Sequence, residues 1–236
     1  SSFKDADMIS GEHMTEKYLL RKDPCYRCPI GCGRYVKLGD WEGGGPEYET
    51  IWSFGSDCGI NDFEKIILAN KMANEYGLDT ISAGATIAAA MELYQLGLIK
   101  DEELDGASLK WGDSDAIIEW TKRMGERSGL GDKMSDGSYR LCESYGVPEL
   151  SMSSKKQEMP AYDPRGVQGQ GLSYATSNRG GCHVRGYMIS PEILGSPEKL
   201  DRFTTNGKAT WTKIFQDLTA TIDSLGLCLF TSFALG

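Results

Sequence analysis

Three thiols crowd into eight positions of this chain, in the run Cys25-Tyr-Arg-Cys28-Pro-Ile-Gly-Cys32. A C-x2-C-x3-C loop this tight, relieved by Gly31 and Gly33 and stiffened by Pro29, can aim three thiolates at one centre while its N–H groups reach sulfur. An iron–sulfur cubane needs four thiolates, often three from one loop and one from afar. Cys228 is the best fourth candidate, so Cys25, Cys28, Cys32 and Cys228 are the expected ligands of a 4Fe–4S cluster. Zinc held by four cysteines is the competing structural reading. It usually takes paired C-x2-C units, and no second pair exists here. Of the other thiols, Cys142 reads as core on a helical apolar face and Cys182 as a packing residue. Cys58 lies in a glycine-bracketed turn; core filler is favoured there over a cofactor-facing role.

Cys228 is singled out by an internal echo. Asn74-Glu-Tyr-Gly-Leu-Asp79 and Asp223-Ser-Leu-Gly-Leu-Cys228 share a spacing: a short polar residue, two others, Gly, Leu, then an acid or thiol. Each closes a predicted helix, with Gly77 and Gly226 supplying the left-handed turn. A carboxylate in the last turn of a helix is disfavoured by the dipole. An acid placed there suits a donor-rich ligand such as a pterin ring. Spacing alone favours the plainer reading, two ordinary helix ends that match by chance.

Other polar groups stand in suggestive settings. His183 sits in the glycine-lined Ser177-Asn-Arg-Gly-Gly-Cys-His-Val-Arg-Gly186, where acid–base work and a structural role weigh evenly. His13 reads as solvated. Gly43-Gly-Gly-Pro-Glu-Tyr-Glu-Thr50 offers Glu47 and Glu49 on a loop, where strand-like alternation would turn one carboxylate inward. Tyr162, Asp163 and Arg165 share a turn in Ala161-Tyr-Asp-Pro-Arg-Gly166.

The elements that must position these groups are mainly α. Pro24–Tyr48 reads as loop built around a metal. A helix starts at Asp62 beside cap-competent Asn61 and ends at Gly77. The next runs from Ile81 to Leu96, and its small residues Ala83, Gly84 and Ala85 would admit a close neighbour, helix or ligand. Helices over Ser114–Ser128 and Asp132–Tyr145 end at Gly129 and Gly146. Turn residues from Pro148 to Gly171 read as linker, with a domain boundary near Val147–Ser154, giving domains of residues 1–150 and 151–236. A last helix covers Lys208–Leu225.

The chain has 236 residues, 40% hydrophobic and 25% charged, enough for one large domain or two modest ones. A net charge of −9 argues against nucleic acid or an anionic membrane as the main partner. No apolar run reaches the roughly 18 residues of a spanning helix, and the polar start carries no signal-peptide pattern. Seven cysteines so clustered suit metal binding in a reducing compartment, with the cytoplasm expected. The chain opens without Met and stops after an apolar run, as a piece of a longer polypeptide would.

Taken together, these motifs resemble the aldehyde:ferredoxin oxidoreductase family of tungsten enzymes. The resemblance rests on Cys-Tyr-Arg-Cys-Pro-Ile-Gly-Cys-Gly-Arg, Gly-Pro-Glu-Tyr-Glu-Thr, Tyr-Gly-Leu-Asp-Thr-Ile-Ser-Ala-Gly, Pro-Ala-Tyr-Asp-Pro-Arg-Gly, Ala-Thr-Ser-Asn-Arg-Gly-Gly-Cys-His and Asp-Ser-Leu-Gly-Leu-Cys, in the family's order. It implies tungsten held by two pterin dithiolenes (tungstopterin), magnesium as an accompanying ion, and a 4Fe–4S cluster close to one pterin. It implies that Asn74, Gly77, Leu78 and Asp79 form one pterin-binding segment and Asp223, Gly226 and Leu227 the other, with Arg185 near a pterin. Asn74 stands where the family has Asp; an amide accepts a hydrogen bond without charge. Glu49, Tyr162 and His183 would line the substrate pocket, with Glu47 in place of Glu49 if the register slips by two. The implied partners are a small aldehyde and ferredoxin or another low-potential carrier, with homo- or hetero-oligomers open. The family's β-rich N-terminal domain would be absent, leaving the middle helical domain and the start of the third. A tungsten aromatic acyl-CoA reductase, with Cys58 as an extra metal ligand, is the second reading. A cysteine-metal structural or electron-transfer module without chemistry of its own is the third.

Overall fold

A computed structural model describes residues 3–232. The fold is mainly α and divides into two compact units, Ser1–Met152 and Ser153–Gly236.

The first unit opens with helix α1 (Gly11–Lys17), whose cap Ser10 accepts the His13 N–H at 3.1 Å. His13 lies among aromatic rings, its centroid 5.8 Å from that of Phe63. Three antiparallel strands follow in sheet order: β1 (Leu19–Lys22), β2 (Arg34–Leu38) and β3 (Trp41–Gly44). The expectation of loop throughout Pro24–Tyr48 is therefore corrected. Only the cysteine stretch and Gly45–Glu47 are irregular, and β2 and β3 form a hairpin pairing Lys37 with Glu42 and Leu38 with Trp41. Helix α2 (Tyr48–Phe54) begins directly after Glu47.

Next come α3 (Phe63–Tyr76) and α4 (Thr80–Gln95). Asp62, not Asn61, caps α3, accepting the Lys65 N–H at 3.2 Å. Asp79 caps α4, accepting the Ser82 N–H at 2.8 Å. From Ala83 to Met91 every residue of α4 is buried, the mark of a central helix. Around it stand α2, α3, α5 (Ser114–Glu126), α6 (Leu130–Met134) and α7 (Ser138–Ser144). The single helix expected over Asp132–Tyr145 is broken at Gly137, which has φ 92° and starts α7. The core gathers Phe54, Ile66, Ile67, Ile87, Met91 and Trp120, with the Trp120 indole N–H donating to the Ser108 carbonyl at 2.7 Å.

The second unit starts with the hairpin β4 (Ser153–Ser154) and β5 (Gln157–Glu158). Helix α8 (Gln168–Thr176), a π-turn (Ser190–Leu194), α9 (Lys208–Ser224) and α10 (Leu229–Ser232) follow. The hairpin and the start of α8 thus occupy the stretch read as linker. A carboxylate from the π-turn closes the N-terminus of α8: Glu192 accepts the N–H groups of Gly169 at 2.8 Å and Gln170 at 3.0 Å. Lys208, the first residue of α9, pairs with the same carboxylate, both side chains buried. Farther along, the Gln216 amide donates to Thr176 Oγ1 at 3.0 Å, so α8 and α9 run alongside each other in the same direction. No helix among the described residues is long and apolar enough to cross a membrane.

Candidate cofactor site

In the first unit the cysteine loop hangs between β1 and β2. Its neck is closed by the Asp23 N–H donating to the Gly33 carbonyl at 2.8 Å, and its turn by the Cys28 N–H donating to the Cys25 carbonyl at 2.9 Å. All three thiols are free; Cys25 and Cys32 are exposed and Cys28 is half-buried. The backbone N–H groups of Gly31 and then Ile30 pull the Cys28 thiol below its usual pKa. Hydrogen bonding to the charged form does this, and thiolate is the form that binds iron. Among the described residues, no three His, Cys, Asp or Glu side chains gather as a metal ion would need.

The hairpin of β2 and β3 brings the start of α2 back beside this loop. Arg34, just after Cys32 and Gly33, holds the Glu47 carboxylate at 2.6 Å. Glu47 and Glu49 are therefore not an alternating pair on a loop: Glu47 precedes α2 and is held by Arg34, whereas Glu49 lies half-buried in its first turn. A second fastening leads from α2 to the first echoed segment. Thr50 Oγ1 and Thr80 Oγ1 share a hydrogen bond of 2.7 Å, and Ser53 Oγ donates to the Thr80 carbonyl at 2.9 Å. Deeper along α4, the small residues admit a helix rather than a ligand: a Cβ on Gly84 would lie 2.5 Å from the Ser53 carbonyl carbon. The cysteine loop, Glu49 and the Asp79 segment thus form one connected set. Arg34, Thr50 and Thr80 were not foreseen; Arg34 alone left a signal, a cation two residues past the last loop cysteine.

The two echoed segments share one backbone design. The Leu78 N–H donates to Ala73 at 2.8 Å and the Gly77 N–H to Asn74 at 3.3 Å. In the other copy Leu227 donates to Ile222 and Gly226 to Asp223, both at 3.1 Å. Both glycines take the left-handed conformation, φ 71° and 68°, and both turns are Schellman closures. Asp79 then caps α4, and Cys228 holds the matching place before α10, its carbonyl accepting the Thr231 N–H at 3.1 Å. Asn74 and Asp79 are exposed, as is the whole segment from Asp223 to Cys228.

In the second unit, Tyr162 and His183 lie together, ring centroids 5.6 Å apart. The Tyr174 hydroxyl donates to the Tyr162 carbonyl at 3.1 Å, and Arg165 grips Asp163 at the same turn. Burial, with the cation of Arg179 second, pushes the His183 pKa down to about 4, so the imidazole is neutral at pH 7. The dipeptide before Cys182 rests on the β4–β5 hairpin. Gly181 donates to the Ser154 carbonyl at 3.2 Å, and a Cβ on Gly180 would run into that same carbonyl. Arg185 binds Asp223 at 2.9 Å, joining the histidine segment to the second echo. Cys58 and Cys142 are buried, as is Cys182. Cys58 donates to the Ser53 carbonyl at 3.3 Å, and burial pushes its thiol well up, as suits a core residue.

The family model described as "Aldehyde ferredoxin oxidoreductase, domains 2 & 3" matches residues 1–235. The chain belongs to the aldehyde ferredoxin oxidoreductase family. Among relatives in this family, the tungsten-containing aldehyde ferredoxin oxidoreductase of Pyrococcus furiosus is 58% identical over 96% of this chain and 38% of its own length. That of Thermococcus kodakarensis is 55% identical over 99% of this chain and 39% of its own length. The chain thus spans under two fifths of the curated relatives it matches. A solved structure of the active-site complex BamBC of benzoyl coenzyme A reductase, with 1,5-dienoyl-CoA, shares the fold. Its TM-score is 0.64 at 21% identity, over 87% of this chain and 32% of that one.

The residues of this family member fit the groups that the resemblance implies. The loop supplies soft thiols, the pKa of one of them pulled down by backbone N–H groups. Beside the second echo lies a spare donor, the buried Nε of Arg185, which has no acceptor among the described residues.

Proposed function

We propose that this chain is the part of a tungsten-containing aldehyde:ferredoxin oxidoreductase that carries the iron–sulfur ligands and both pterin-binding segments. Residues 1–150 carry the cluster loop and the first pterin segment; residues 151–236 carry the second pterin segment and Cys228. Cys25, Cys28, Cys32 and Cys228 hold a 4Fe–4S cluster, and Asp79 and Asp223 accept hydrogen bonds from the pterins of tungstopterin. Magnesium accompanies the pterins. The observation that carries this reading is the connected set in the first unit, where Arg34–Glu47 and Thr50–Thr80 fasten the Glu49 helix to the cysteine loop and to the Asp79 segment. High identity to relatives with this activity supports it.

Oxidation of an aldehyde to its carboxylic acid consumes one water and releases two protons and two electrons. A tungsten–pterin group beside Asp79 and Asp223 would supply the two-electron redox chemistry, and a cluster held by Cys25, Cys28, Cys32 and Cys228 would supply one-electron transfer toward ferredoxin. This chain's own residues handle protons and orientation. Glu49 takes the proton of the attacking water as general base. Neutral His183 and the Tyr162 hydroxyl donate to the oxygen on which negative charge develops. Burial keeps His183 uncharged, so it acts as a hydrogen-bond donor at neutral pH. Free thiols suit a reducing cytoplasm, where copies of the chain or a second subunit complete the assembly.

In the full-length protein, Glu49→Gln is expected to lower kcat by about a hundredfold or more while tungsten and iron stay bound. Unchanged turnover with the metals retained removes Glu49 from the mechanism. Zinc as the sole metal of the wild-type protein removes the whole reading.

A further inference from the structure

The last turn of α9 carries an acid where the helix dipole disfavours one. Asp223 is the penultimate residue of the helix, its side chain 48% exposed. A helix end that served packing alone would be better closed by a cation. Here the cation comes from elsewhere: Arg185, with its side chain only 21% exposed, meets Asp223 at 2.9 Å. The backbone beside Arg185 is fixed. Gly186 sits so tightly against Ser173 of α8 that a Cβ there would overlap the Ser173 hydroxyl, and it would lie 3.1 Å from Gln216 of α9. Arg185 is the anchored member of the pair, and Asp223 is the member held at the surface.

We propose that Arg185 is a positioning residue. It holds the Asp223 carboxylate oriented at the end of α9, ready to accept N–H groups from the pterin. The inference rests on the functional reading above, which gives Asp223 that ligand. An arginine suits the task because it stays charged, so the carboxylate keeps a partner while the ligand is absent. Its fork leaves donors to spare, and the buried Nε is unused by acceptors among the described residues. Asn74, the matching residue of the other echo, is an amide and needs no such partner; its Nδ2 donates to Asn70 of its own helix at 3.5 Å.

The test uses the full-length holoprotein and four variants: Arg185→Gln, Arg185→Lys, Asp223→Asn, and the double Arg185→Gln/Asp223→Asn. Pterin per chain is read by fluorescence after oxidative release, on protein passed through a desalting column, with the melting temperature measured alongside. Arg185→Gln and Asp223→Asn are each expected to lower retained pterin about tenfold, the scale of one lost charge-assisted hydrogen bond. The double variant should fall no further than the worse single one. Arg185→Lys should recover most of the pterin, and it covers the case in which Arg185→Gln does not fold. Full pterin in Arg185→Gln with a lowered melting temperature overturns the proposal, leaving the pair a structural closure. Losses that multiply in the double variant overturn it too, because Arg185 would then act independently of Asp223. Wild-type protein without pterin would instead sink the functional reading, and this inference with it.

Discussion

At the scale of single residues, environment decides chemistry more than residue type does. The chain has two histidines, and burial sets His183 apart, holding its pKa near 4 against an ordinary value of 6.5. The folded protein therefore favours the neutral ring. That contribution to stability is complete above pH 6.5 and is lost as pH falls from 6.5 toward 4, by up to roughly 3 kcal/mol. His183→Gln should flatten the fall of melting temperature across that window, and parallel curves for the two proteins would count against a buried, neutral His183. The two carboxylates of Glu47 and Glu49 part company in the same way. Their sequence spacing suggested alternation, but a salt bridge from Arg34 claims one and the first turn of a helix holds the other. Cys58 was legible as core filler because a thiol between glycines has little else to do once a carbonyl accepts its hydrogen.

Among elements, the long helices were readable from their apolar faces and glycine stops, Gly77 closing α3; their caps were not, since Asp62 rather than Asn61 caps α3 and Asp79 caps α4. The sheet was not readable. Most of β1 is exposed and β3 contains Gly43 and Gly44, so neither strand shows an inside and an outside. Helix α8 was hidden for another reason: its N-terminus is satisfied by Glu192, which no local pattern reveals. That carboxylate depends on Lys208. Lys208→Met should destabilise the protein by about 3–5 kcal/mol, since it strands a buried charge, and Lys208→Met/Glu192→Gln should recover most of the loss. A Lys208→Met variant as stable as its parent in a denaturant titration would refute the dependence. In the first unit, Gly84→Ala would press a methyl onto the Ser53 backbone and push α2 from α4. We expect a loss of about 1–3 kcal/mol, together with lower activity, because α2 carries Glu49. Wild-type stability for Gly84→Ala would show that the two helices have slack.

For the molecule as a whole, composition speaks through the distribution of charge. The chain is acidic overall, yet between residues 17 and 37 stand the cations Lys17, Arg21, Lys22, Arg27, Arg34 and Lys37 and the single acid Asp23, and cations remain in excess after Glu42 pairs with Lys37 and Glu47 with Arg34. The cysteine loop therefore sits in the basic part of an acidic protein. An acidic electron carrier approaching that loop would be steered by long-range attraction, which salt screens. In the full-length enzyme, raising ionic strength from about 0.05 to 0.5 M should slow carrier reduction several-fold; a flat salt response would place electron exit elsewhere. The mainly α character was legible from the helical periodicity and the glycine stops. The fastenings between motifs were not, because they join residues far apart in sequence. Finally, the carbonyls of the β4–β5 hairpin press against Gly180 and Gly181 just ahead of His183. Laboratory evolution of this stretch would meet a wall there: a saturation library at position 180, sorted for soluble folded chains, should return glycine alone.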